Sequence, residues 1–192
     1  RANKGVPLPS AASEDTELHS QYLENLDGLR LNSDSRRTDG YLAARYMGEG
    51  GGWAALTTSA YDLDRGVPPE AHQDNPRFWR YPEQNRLLIA LSGGSGELET
   101  KSGIQSFEFS FGLDAGSSQI DRYETESFRT VSGIEEADDR TITIRAKGDH
   151  TLGTNVDLRS AFTFSRVGRD ERLNRGAVES YRQRLWGFGV ES

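Results

Sequence analysis

The chain has 192 residues, a formal charge of −7, 34% apolar and 28% charged residues, and no cysteine. Its length suits one domain. The missing thiols exclude a disulfide framework, a zinc–thiolate centre, an iron–sulfur cluster and a cysteine nucleophile. The acidic balance argues against nucleic acid as a partner. No apolar run reaches the roughly 18 residues of a transmembrane helix, so the sequence is read as carrying no membrane span.

Residues 1–12 hold two prolines, a glycine and no apolar periodicity, and read as an extended arm. Leu18, Tyr22, Leu26 and Leu29 follow at helical spacing behind Ser13 and three acids, which predicts a helix over 14–27. From residue 40 the period drops to two, and 40–192 reads as a β domain. Strands are predicted over 41–47 and 53–63, separated by the glycines of 48–52. Residues 64–83 contain four of the six prolines and read as a long surface loop. Leu87 to Leu91 are continuously apolar, as in a strand buried on both faces.

The clearest strand is 104–113, where Phe107, Phe109, Phe111 and Leu113 point one way as a core face, opposed by Glu108 and Ser110. Further strands are predicted over 120–131, 141–147, 156–167 and 185–190. Short strands without intervening helices predict a mainly β domain of about eight antiparallel strands, sandwich or barrel-like, behind the single N-terminal helix.

The chemistry-bearing residues form no catalytic constellation. His19, His72 and His150 lack metal-pair spacing, and Gly-x-Ser-x-Gly and phosphate-binding glycine loops are absent. No cofactor, metal site or catalytic residue is therefore expected. Glu124 and Glu126 share a face of the expected 120–131 strand, a pattern that ordinarily keeps an exposed strand soluble. The aromatic residues are more distinctive. Trp53 follows a glycine run, and Phe78-Trp79-Arg80-Tyr81 lies between Pro76 and Pro82. Trp53, Trp79, Arg80 and Tyr81 are the candidate binding residues, for a sugar ring or a partner protein. The competing reading has them cover the end of a β core. Six arginines within 166–184 stand against Asp170, Glu171 and Glu179, a locally basic stretch able to seat an acidic neighbour, a second copy of the chain included. The ordinary reading of that stretch is a solvated, partly flexible segment.

Ser102-Gly103-Ile104-Gln105-Ser106-Phe107-Glu108-Phe109, the following Ile120-Asp121-Arg122-Tyr123 and the patch Phe78-Trp79-Arg80-Tyr81-Pro82 together resemble the sheet region of minor pilins and type II secretion pseudopilins, over residues 78–145. The resemblance implies a non-enzymatic, extracytoplasmic assembly or adhesion subunit with protein partners, its own copies included. The chain departs from that pattern in having no long apolar N-terminal helix, and 114–121 lacks the acids that hold calcium in some pilins. Two other functions fit the residues: a carbohydrate- or ligand-binding β-sandwich using Trp53, Trp79 and Tyr81, and a small enzyme moving a proton through Glu124 or His150.

Overall fold

A computed structural model describes residues 2–7, 28–153 and 156–192. Its strands are β1 (Ala2–Asn3), β2 (Ser35–Met47), β3 (Trp53–Val67), β4 (Trp79–Gly94), β5 (Leu98–Thr100), β6 (Gly103–Tyr123), β7 (Val131–Leu152), β8 (Val156–Leu173) and β9 (Val178–Glu191). All nine join one antiparallel sheet in the order β1-β2-β3-β4-β6-β7-β8-β9, with the short β5 paired only to β6. The long strands follow one another as a simple meander. Among the described residues the sheet does not close on itself and no second sheet covers it, so the mainly β expectation holds but the sandwich does not. The helix expected over 14–27 lies outside the described residues, as do residues 8–12 of the expected arm.

The strands are longer than period-two counting suggested. β6 has 21 residues and β7 has 22, about four times the typical strand. Polar residues at both parities hid these extensions, because alternation is legible only where one face is apolar. Residues 166–173 and 178–184, expected in a flexible segment, continue β8 and begin β9. The loop expected over 64–83 shrinks to 68–78. Residues 124–130, expected inside a strand, form the turn between β6 and β7, closed by the Glu124 amide donating to the Thr130 carbonyl at 3.0 Å. The ladders shift register near the loop end, between Leu63 and Arg65 on β3, Arg80 and Glu83 on β4 and Arg122 and Tyr123 on β6, whereas β7 and β8 run without a shift from Glu135 opposite Leu173 to Leu152 opposite Val156.

Turn chemistry explains the connections. Asn174 and Arg175 both have positive φ, and Gly176 N–H bonds the Leu173 carbonyl at 2.8 Å, which is the mirror-image turn suited to twisted hairpins. At the other end of the sheet the glycine turn 48–52 packs against Gly96, where an added Cβ would sit 2.6 Å from the Gly51 carbonyl carbon. Gly66 is equally constrained, because Asn32 approaches it closely enough to place its carbonyl oxygen 2.2 Å from a Cβ.

This sheet has no conventional core. Among the described residues only Pro69, Ala71, Pro76 and Ala137 are buried, and Pro69 is the largest fully buried side chain. Leu87, Leu88 and Leu91, expected to be buried on both faces, are 39%, 42% and 48% exposed. Phe107 and Phe109 share a face as expected, yet both are about half exposed rather than core. The accessible surface is 13407 Å², against about 9,100 Å² for a compact chain of this mass. A single-layer sheet cannot do otherwise, since each face needs another layer, or another solvent, to cover it.

Candidate functional site

Register converts the strand sequences into two unlike faces. Phe111 lies opposite Leu91 on β4 and Ile144 on β7. Leu91 faces Leu56, which faces Ala44. Ile144 faces Phe164, which faces Trp186. One row across seven strands is thus wholly apolar. Two residues along, the same face carries Tyr46, Ala54, Gly93, Phe109, Ala146, Phe162 and Phe188. The row between them points to the opposite face and holds Arg45, Ala55, Ser92, Ser110, Arg145, Thr163 and Gly187.

The apolar band spans nine residues on β6, from Phe107 to Ala115, and narrows toward β9, because Arg140, Arg166, Arg182 and Arg184 occupy the rows of Leu113 and Ala115 on β7, β8 and β9. Directly opposed side chains in an antiparallel ladder share a face, so the band is contiguous. The other face is mixed: Thr143 Oγ1 and Ser165 Oγ lie 3.1 Å apart and Lys147 3.5 Å from Glu108, but Trp53, Leu88, Val167 and Leu185 stand among these polar residues.

Beyond the band, toward the loops 68–78, 124–130 and 174–177, both faces turn charged. Cross-strand ion pairs join Arg169 to Asp139 at 2.9 Å, Arg182 to Asp170 at 2.7 Å and Arg122 to Glu135 at 2.5 Å. Such exposed pairs contribute about 0.2–1 kcal/mol each, enough to favour the register without creating a core.

The four candidate binding residues do not converge. Trp53 opens β3 opposite Gly94, whereas Trp79 opens β4 opposite Val67, at the other end of the same pair. The fourteen-residue offset puts them roughly 45 Å apart at 3.3 Å per residue. Trp53 lies beneath the Arg45 guanidinium at 5.3 Å. Trp79 is stacked between Arg77 at 4.9 Å and Arg122 at 5.4 Å, and Tyr81 carries Arg65 at 4.8 Å. Trp79, Arg80 and Tyr81 are half-buried.

Arg80 is the centre of that loop end. Its guanidinium donates to both carboxylate oxygens of Asp34, at 3.0 and 2.7 Å, and to Asp64 at 2.9 Å. The hydrogen bond from Arg80 holds the Asp34 carboxyl below the usual carboxylate range. Asn32, in the left-handed region at φ 51°, donates to the carbonyls of Val67 and Trp79 at 2.9 and 2.7 Å. Nearby, Phe128 meets Phe78 and Tyr123 edge-on, with centroids 5.9 and 5.3 Å apart. Burial raises the Tyr123 phenol. Glu70, which pairs with Arg77, is held low chiefly by the Arg77 backbone amide. These residues clasp the strand ends together.

The proton-transfer pair is also divided. His150 lies opposite Gln105 near the glycine-turn end, with ring nitrogens 3.4 and 3.5 Å from Gln105 Nε2. Glu124 begins the turn after β6, nineteen residues from Gln105. His19 lies outside the described residues. No group of three histidines and carboxylates able to hold a metal occurs among the described residues.

Part of the basic stretch 166–184 emerges on the apolar face, joined there by Arg140, which the sequence had not connected with it. Arg140, Gly168 and Arg182 form one row across β7, β8 and β9, and Ile142, Arg166 and Arg184 form the next. Its signal in sequence was alternation on β9, where Arg182, Arg184, Trp186, Phe188 and Val190 share one parity.

Comparison of the chain with protein-family profiles, characterised proteins and solved structures yields no match.

Proposed function

We propose that this chain is wall of a membrane-spanning β-barrel, with its apolar face toward lipid and its polar face toward the barrel interior. One observation carries the reading: the contiguous apolar band, nine residues tall on β6, backed by a more polar face, in a meander of hairpins without a core among the described residues. A tilted transmembrane strand needs about 9–11 residues, a height the band reaches on β6. Antiparallel meanders with alternating lipid-facing and lumen-facing side chains are the strand solution to crossing hydrocarbon. Aromatic side chains gather toward the glycine-turn end of the band, at Tyr46, Phe107, Phe109, Phe162 and Phe188, as interfacial girdles do. The lack of a long apolar helix among the described residues concerns helices alone, since alternate strand residues need not be apolar.

This reading keeps the function non-enzymatic and extracytoplasmic and replaces the pilus-type assembly with a membrane wall. The charged strand extensions and the Arg80 clasp then stand outside the bilayer, where loops meet ligands or partners. Barrel closure requires strands besides those described, pairing with the free edges of the sheet.

The 192 residues hold no cysteine, so single cysteines report one position each. Spin labels at Phe109→Cys and Phe162→Cys, in protein reconstituted into vesicles, are expected to be relaxed by dissolved oxygen and shielded from a water-soluble nickel chelate. Labels at Thr143→Cys and Ser165→Cys are expected to show the reverse. Chelate access at both pairs would sink the barrel reading.

A further inference from the structure

We infer that Arg140, Arg166, Arg182 and Arg184 form a site on the membrane-facing side of the sheet for the phosphate of an anionic lipid headgroup. The inference rests on the barrel reading and adds a ligand to its lipid face. The four arginines occupy two adjacent rows, Arg140 with Arg182 and Arg166 with Arg184, around Gly168. Neighbouring strands lie about 4.8 Å apart and same-face rows about 6.7 Å apart, so the four Cα atoms enclose an area comparable with a phosphorylated headgroup. Gly168 supplies the opening. A Cβ there would meet the Arg182 side chain at 3.3 Å, so that guanidinium arm lies across the bare backbone. A groove of about 690 Å³ runs past Arg140, Arg166, Gly168 and Arg182.

The electrostatic balance leaves charge to be neutralised. Arg182 is paired with Asp170 at 2.7 Å. Among the described residues Arg140, Arg166 and Arg184 have no ion-pair partner. Asp138 shares the face with Asp170 one row farther from the band, and Asp139 points to the opposite face, paired with Arg169. The groove is also lined by Asp138, Asp139 and Asp170, but Asp139 is paired with Arg169 and Asp170 with Arg182, which leaves Asp138 against Arg140 and Arg166, with Arg184 beside them on the band side. The position decides the ligand. One row below the arginines come Ile144, Phe164 and Trp186, and Trp186 is 77% exposed. A charge at this border meets acyl chains on one side and headgroups on the other. Arginine suits a phosphate there, because its planar fork donates two hydrogen bonds at once. A free anion would need no hydrocarbon beside it, and an acidic protein would have to displace lipid from the band.

The test uses the complete protein in detergent, with short-chain phosphatidylglycerol, short-chain phosphatidylcholine and inorganic phosphate as separate probes, read by native mass spectrometry and by titration. Phosphatidylglycerol is expected to bind at least about tenfold more tightly than phosphatidylcholine, at about fivefold in affinity per unpaired arginine. Removing all three in Arg140→Gln/Arg166→Gln/Arg184→Gln should abolish that preference. The lysine triple variant should retain most of it, and Arg169→Gln, on the other face, should leave it unchanged. If the glutamine triple variant fails to fold, Arg166→Gln alone should lose about fivefold. Equal binding of the two lipids, binding of inorganic phosphate as tightly as phosphatidylglycerol, or an unaltered preference in the glutamine variants overturns the inference. The spin-label experiment separates the two failures: oxygen access at Phe109→Cys with no lipid preference defeats the site and spares the barrel.

Discussion

Arg80 shows how one residue organises an end of the sheet that has no core to lean on. It bridges Asp34, ahead of β2, to Asp64 on β3 from its own place on β4, so three chain segments are tied by one guanidinium. Its side chain is 24% exposed and that of Asp34 is 41%, which keeps the pair partly screened. Replacing Arg80 by alanine should destabilise this end by about 1 kcal/mol at neutral pH. The sign of the pH dependence follows from the lowered Asp34 carboxyl. A depressed carboxylate contributes stability that is complete above its unfolded value, near 3.9, and is lost as pH falls through the folded value. Hydrogen exchange of the 68–78 loop should therefore differ between Arg80→Ala and the parent at pH 7 and converge only once the pH falls below the lowered Asp34 value. A difference that persists in acid would show that Arg80 acts by packing.

At the scale of the strand, alternation was legible wherever one face was apolar. Phe107, Phe109, Phe111 and Leu113 announced their shared face, and Ile142, Ile144 and Ala146 did the same. What that face meets was not legible, because Phe and Ile alternate identically against a protein core and against hydrocarbon. Where polar residues occupy both parities, as from Ser117 to Gln119 or from Glu135 to Arg140, the strand left no trace, and its continuation depends on ladder pairing with neighbours. The two environments predict different costs. Phe111→Arg, at mid-height of the band, should cost about 2–4 kcal/mol in lipid, while Ser92→Arg on the opposite face should cost under about 1 kcal/mol. Denaturant titrations of the protein in vesicles measure both. Equal costs would mean that the faces are not differently solvated.

Among the described residues the protein is one layer with two exposed faces and a fourteen-residue edge strand, β9, whose outer edge has no partner there. In water such an edge, beside Trp186 at 77% and Phe188 at 68% exposure, is a template for aggregation. The 192-residue chain should therefore acquire its full β circular dichroism and remain monodisperse only with detergent or lipid present. A monomeric, fully folded species in plain buffer would contradict this, since nothing else then covers the band.

The sequence by itself determined the class of structure. Period-two runs broken by Gly48–Gly52, by Gly93–Gly96 and by the prolines of 68–76 dictate strands and hairpins, because alternation and turn residues are local properties. It also placed an aromatic group at 78–81 and a basic group in 166–184. Only the tertiary structure decided that Trp53 and Trp79 stand at opposite ends of one strand pair, that Arg140 joins Arg166, Arg182 and Arg184, and that Phe109 and Phe162 stay uncovered. Those outcomes depend on register across strands distant in sequence and on whether a second layer exists, and neither is encoded in the alternation of any single strand.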